Sequence, residues 1–152
     1  MIRWATRSHI SHVFVVIGHL HGSNIILEAN GREVDITFLE KYDGDNTFVS
    51  VYYPPSCLSA QEMDKALFHT VLKYKLEKYG WLQILSIALS GIFPSVTFLK
   101  QGVICSELAF YFLEQLGLLT RSSVNKAFNP DRATPQDILL LVSGVYGQGK
   151  QP

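Results

Sequence analysis

The sequence is poor in cysteine, carries no excess charge of either sign, and lacks a long apolar run near its start. Its 152 residues hold two cysteines, Cys57 and Cys105. Two thiols exclude a disulfide-built scaffold, and without a CxxC pair they give no zinc spacing. A reducing setting fits, and no cofactor or resident metal is implied. Lys and Arg number 13 against 13 Asp and Glu, so no basic excess argues for nucleic acid as a partner. In the opening "MIRWATRSHISHVFVVIGHLHG" the apolar run is only Val13 to Ile17. A signal peptide needs about 7–15 apolar residues and then small residues at a cleavage site. The expectation is a cytoplasmic or phage- or virus-associated chain, not one exported by the ordinary secretory route.

What is present is core material. Hydrophobic residues make up 47% and charged ones 17%, which fits one globular domain over residues 1–143 and a flexible tail over 144–152. Trp81 to Leu99 has no charge and approaches the roughly 20 residues that span a bilayer, but Gln83, Ser86, Ser90, Gly91 and Pro94 interrupt it. The segment reads as a buried helix ending near Gly91 and a loop around Pro94. The alternative is an apolar face that contacts lipid or a membrane surface.

Strand signals come first along the chain. Ile10 to Ile17 and Asn24 to Asn30 are short, β-branched runs joined by the Gly-containing "GHLHGS", a hairpin with a loop slightly longer than the tightest type. "REVDITFL" and "TFVSVYY" read as further strands around the turn-forming "YDGDN". Helix signals follow. Ser59 and Glu62 form a capping box ahead of Met63, Ala66, Leu67, Val71 and Tyr74. Another helix opens at Cys105 and stops at Gly117, and a last one opens at Thr134-Pro135. Strands before helices predict an α+β domain.

A cysteine that opens a helix lies near unpaired N–H groups and the positive end of the helix dipole, which favour thiolate. Cys105, Leu108, Ala109, Phe112 and Leu116 share one helical face, so the thiol is expected on the side that packs against the sheet. Free cysteines are also among the most buried residues, and on this geometry alone the structural reading of the thiol is the favoured one. Cys57, after Pro54-Pro55-Ser56, reads as structural or incidental.

A thiol nucleophile needs an imidazole, and the imidazole an orienting acceptor. Among His9, His12, His19, His21 and His69, only His12 sits inside the first predicted strand on the face of Phe14 and Val16. His19 and His21 fall in the predicted loop, and His69 lies mid-helix. Glu28 is a carboxylate in the apolar run "NIILEAN", on the face of Ile26. A register in which paired numbers sum to forty would set Glu28 directly across from His12. The bland reading is an ion pair at an exposed strand edge.

The order His, carboxylate, Cys resembles the circularly permuted branch of the NlpC/P60 papain-like superfamily, particularly its YiiX/YebB-like group. The residues that carry it are Ser11-His12-Val13, Leu27-Glu28-Ala29 and Cys105-Ser106-Glu107, with "YYPPSCLSAQEMDKAL" and "TPQDILL" agreeing in kind. The likeness runs from about Ser8 to Leu141. It implies a permuted papain-like fold with the nucleophile helix packed on a small antiparallel sheet. It implies Cys105 as nucleophile, His12 as general base, Glu28 as orienting group and the Cys105 backbone N–H as an oxyanion donor. A second donor stays open among Trp4, Ser11 and the loop before Cys105.

The expected activity is a cysteine hydrolase acting on peptide or amide bonds, peptidoglycan peptides among them. A second expectation is a lipid acyltransferase or lipid hydrolase using the same three residues, motivated by Trp81 to Leu99. A third, of another class, is a non-enzymatic or virion-associated binding module. A zinc site through His9, His12, His19 and His21 has only HxH-type spacing and no nearby Cys or Asp. Substrate identity and oligomeric state are not written in these motifs.

Overall fold

A computed structural model describes residues 10–44, 49, 52, 58–74, 78, 80, 102–119 and 133–146. Three strands, β1 (Val15–Leu20), β2 (Ser23–Ala29) and β3 (Val34–Phe38), form an antiparallel sheet in the order β1-β2-β3. A 3-10 turn, Leu39–Tyr42, follows β3 directly. Three helices are described: α1 (Ala60–Tyr74), α2 (Cys105–Gln115) and α3 (Pro135–Tyr146). The protein is α+β, as the sequence predicts. The predicted strand over 47–53 and the Trp81 to Leu99 segment fall largely or wholly outside the described residues. Among those residues, no helix is long and apolar enough to cross a membrane. Helix α3 runs to Tyr146, into the stretch read from sequence as tail.

The first hairpin is tighter than its sequence suggests. Leu20 pairs with Ser23, which leaves a two-residue turn, His21-Gly22, with φ of 50° and 89°. Both values are positive, the signature of a type I′ turn, whose twist matches that of the flanking strands. The turn sets a pairing sum of 43, and a bulge between Val16 and Gly18 changes it to 42. The sum-of-forty register is therefore incorrect, by two residues. Strand β1 also begins at Val15, so His12 lies in the segment leading into the strand and not within it.

The second hairpin is closed by Asn30, whose side-chain oxygen accepts from the backbone N–H of Arg32 (3.1 Å) and Glu33 (3.3 Å). This is the local bonding that makes Asn a turn residue. Ile25 then pairs with Phe38, and Glu28 with Asp35.

Helix starts follow their cap chemistry. Ser59 and Glu62 bond reciprocally: the Ser59 N–H donates to Glu62 Oε2 (2.8 Å), and the Glu62 N–H donates to Ser59 Oγ (3.2 Å). Thr134 and Asp137 repeat the pattern at α3, with Pro135 as its first residue. Helix α2 differs. Its N-cap is Ile104, which has no capping oxygen. Its other end is closed by Gly117 at φ 70°, with the Leu118 N–H on the Leu113 carbonyl and the Gly117 N–H on the Glu114 carbonyl.

Helix α2 is the centre of the packing. Cys105, Leu108 and Phe112 join Val15, Leu27, Ala29, Ala66 and Tyr74 in one core cluster. Ala109, Phe110 and Leu113 join Ile138 of α3 in a second. The single apolar face read from sequence is thus a helix buried on two sides, and Ala109 belongs to the second. Each fully buried Leu or Phe there contributes about 1.5–3 kcal/mol. Lys73 of α1 adds a cation–π contact, with Nζ 3.6 Å from the Tyr111 ring centroid.

Candidate functional site

A carboxylate in an apolar strand has to find donors or give up its charge. Glu28 is completely buried, and among the described residues three donors reach it. The Tyr42 hydroxyl donates to Oε2 and the Lys41 ammonium to Oε1. His12 Nε2 lies 2.8 Å from Oε2. An ionised carboxylate only accepts, so Nε2 carries a proton, and the tautomer that pairs with Glu28 has its lone pair on Nδ1.

This contact forms although the register departs from expectation. Extending the 42-sum pairing past β1 sets Phe14 across from Glu28. His12 is two residues further along. An offset of two preserves the pleat's face, and a diagonal neighbour remains within reach of a long side chain. Aromatic contacts hold the imidazole in place: its centroid is 5.8 Å from that of Tyr42 and 6.4 Å from that of Phe14. The His12 side chain keeps 19% of its exposure.

Lys41 and Tyr42 were not singled out by sequence reasoning. They come from the 3-10 turn, which folds the chain back after β3 beneath Glu28. The available signal was the buried acid itself, which calls for a cation, followed by the adjacent "KY" just past the next strand. Partial burial lowers the Lys41 pKa from the ordinary lysine value, and the carboxylate beside it works in the opposite direction.

Cys105 stands at the first position of α2, a free thiol with 3% exposure. Its approach is fixed by a short bridge in which the Val103 N–H donates to the Lys78 carbonyl (3.0 Å) and the Gly80 N–H to the Val103 carbonyl (2.9 Å). Lys78 in turn bridges Glu33, beside the start of β3. Cys105 and His12 therefore lie toward the same end of the sheet. Among the described residues no hydrogen bond joins Cys105 to His12 or Glu28. Leu27 and Ala29 share the core cluster of Cys105, and the pleat sends the intervening Glu28 to the other face.

The rest of the "CSE" motif is structural in its contacts. Ser106 is buried, and its hydroxyl donates to the Ala133 carbonyl just before α3. Glu107 is buried too and accepts from the Tyr74 hydroxyl of α1 at 3.4 Å. Ser11, one of the open oxyanion candidates, is exposed; Trp4, His9 and Cys57 lie outside the described residues. His19, at the far end of β1 from His12, has its Nδ1 3.4 Å from Asn24 Oδ1, and His21 occupies the turn. His69 is exposed on α1. Among the described residues no group of three or more His, Cys, Asp or Glu is arranged to hold a metal.

Comparison with family models, with curated proteins and with solved structures finds no match to this chain.

Proposed function

We propose that the protein is a cysteine hydrolase of permuted papain-like (NlpC/P60) type, with Cys105 as nucleophile, His12 as general base and Glu28 as the group that orients His12. The observation that carries this reading is the His12–Glu28 contact at 2.8 Å. A fully buried acid holds one ring nitrogen and leaves the other to act as a base. Cys105 adds a thiol at the mouth of a helix with no side-chain cap, where unpaired backbone N–H groups can receive an oxyanion.

In this chemistry His12 Nδ1 takes the thiol proton and Sγ attacks the substrate carbonyl carbon. The tetrahedral oxyanion is held by the Cys105 N–H. The C–N or C–O bond breaks as His12 returns the proton to the leaving group. Water then attacks the thioester with His12 again accepting a proton, which releases the acid and restores the thiol. The two groups must meet for this to occur. Cys105 packs on the Leu27 and Ala29 face of β2 and Glu28 lies on the other. The proposed chemistry therefore includes a movement of His12, which precedes β1 outside the strand ladder, past the end of the sheet to Sγ.

The substrate class is an acyl compound: a peptide, a peptidoglycan stem peptide or a lipid ester. Transfer of the acyl group to an acceptor other than water uses the same residues. A second reading is favoured by the burial of Cys105 within a cluster that holds Leu27 and Ala29. In it the thiol is core, the Glu28 cluster is a structural polar network, and the protein is a binding module. Incubation with an activated acyl ester followed by peptide mapping distinguishes the two. The hydrolase reading predicts an adduct on Cys105, lost in Cys105→Ala. Labelling of the whole protein that is undiminished in Cys105→Ala would leave the binding-module reading standing.

A further inference from the structure

We propose that Lys41 and Tyr42 are positioning residues that act on His12 through Glu28: Lys41 supplies the charge the buried acid requires, so that His12 stays a neutral base, and Tyr42 fixes the carboxylate's orientation. The meaning of this assignment for catalysis rests on the hydrolase reading; its electrostatics do not.

A carboxylate with no exposure needs a compensating charge close by. Among the described residues two groups around Glu28 can provide one, the Lys41 ammonium on Oε1 and a protonated His12 on Oε2. A second cation on the same carboxylate is opposed by the first. With Lys41 in place the acid is already neutralised, and His12 needs to donate only its Nε2–H. With Lys41 removed, protonated His12 becomes the only cation among the described residues bound to Glu28, and the base is lost into an ion pair. The Tyr42 hydroxyl shares Oε2 with His12 and stacks its ring on Phe14 at a centroid distance of 6.0 Å. It thereby sets which way the carboxylate turns.

Among the described residues, the acids Asp35 and Glu40 near this cluster bond other groups. Asp35, across from Glu28 on β3, is exposed, accepts from Asn30 Nδ2 (3.4 Å) and bonds the Ile36 N–H. Glu40 accepts from the Asn24 backbone N–H at 3.2 Å. Phe14, whose ring also packs near the imidazole, carries no charge. Among the described residues, Glu28 bonds His12 directly, Tyr42 packs its ring against the imidazole, and Lys41 reaches His12 only through Glu28.

The test is an NMR titration of the His12 ring between pH 4 and 9, with its resonances assigned by comparison with His12→Gln. In Lys41→Met the His12 transition should move to higher pH by about one unit relative to wild type. In Lys41→Arg, which keeps the charge, it should stay at the wild-type position, and in Tyr42→Phe it should rise less than in Lys41→Met. An unchanged or lowered transition in Lys41→Met overturns the proposal. Should that variant fail to fold, Lys41→Gln, which keeps a hydrogen-bond donor without the charge, decides in the same way. The titration runs equally well in a Cys105→Ala background. Failure of the hydrolase reading therefore appears in labelling of Cys105, and failure of this inference in the His12 transition.

Discussion

His12 Nε2 sits 2.8 Å from a Glu28 oxygen although the two residues are not paired across the strands. Their contact is diagonal, an even number of residues out of register, and for that reason both side chains remain on one face. The acid is dry, the imidazole is half-open, and the lone pair left on Nδ1 is the one a thiol proton would need. This arrangement ties the fold to the proposed chemistry, and the consequences below separate its structural from its catalytic parts.

Gly102 controls how the chain reaches Cys105. It sits at φ 83°, and a Cβ there would fall deep inside contact distance of the Lys78 carbonyl oxygen and 3.1 Å from the Gly80 nitrogen. Gly117, at φ 70°, has open space around it. Gly117→Ala should cost about 1–2 kcal/mol from backbone conformation alone. Gly102→Ala should cost clearly more, because backbone must also move. Urea unfolding of the two variants checks the order; equal losses would mean that the bridge to Lys78 is not a constraint.

Ser106 and Glu107 follow the thiol in sequence, yet their contacts are with other elements of the fold. Ser106→Ala removes the donor to the carbonyl of buried Ala133 and should destabilise by about 1–3 kcal/mol. At temperatures where the variant is folded, acylation of Cys105 should proceed at the wild-type rate. A variant of wild-type stability that had lost acylation would move Ser106 into the chemistry.

The cap of α1 gives a pH dependence. The Ser59 backbone N–H, and then its hydroxyl, hold Glu62 below the ordinary value of 4.5. A depressed folded value means that this contribution is complete above the unfolded value and is lost as pH falls through the folded one. Glu62→Gln should lower the melting temperature at pH 7, and the difference from wild type should shrink at pH 3. Melts at the two pH values decide; a constant difference would show that the charge is not what stabilises the cap.

Much of this architecture is legible in the sequence because it depends on local chemistry. The capping box at Ser59, the helix start at Thr134-Pro135 and the stop at Gly117 are each set by a few adjacent residues, and the structure contains all three. The α+β class follows from the order of the patterns. The register is less legible, since a two-residue turn plus a bulge fixes it, and "GHLHGS" also accommodates a longer loop. The two-sided burial of α2 depends on α3, far along the chain, so its own periodicity does not reveal it. His12 and Glu28 were found because a polar residue among apolar strand residues stands out. Lys41 and Tyr42 were missed because only the 3-10 turn after β3 returns them beneath the acid.

The most direct measurement is the rate at which Cys105 is acylated by an activated ester, followed by mass spectrometry from pH 5 to 9 in wild type and His12→Ala. A positioned base typically contributes about 10²–10⁴-fold. The account predicts a loss of that order in His12→Ala at neutral pH, narrowing as the pH rises and hydroxide produces thiolate without help. Equal rates in the two proteins across the range would contradict it, and would leave Cys105 as a core thiol beside an unrelated polar cluster.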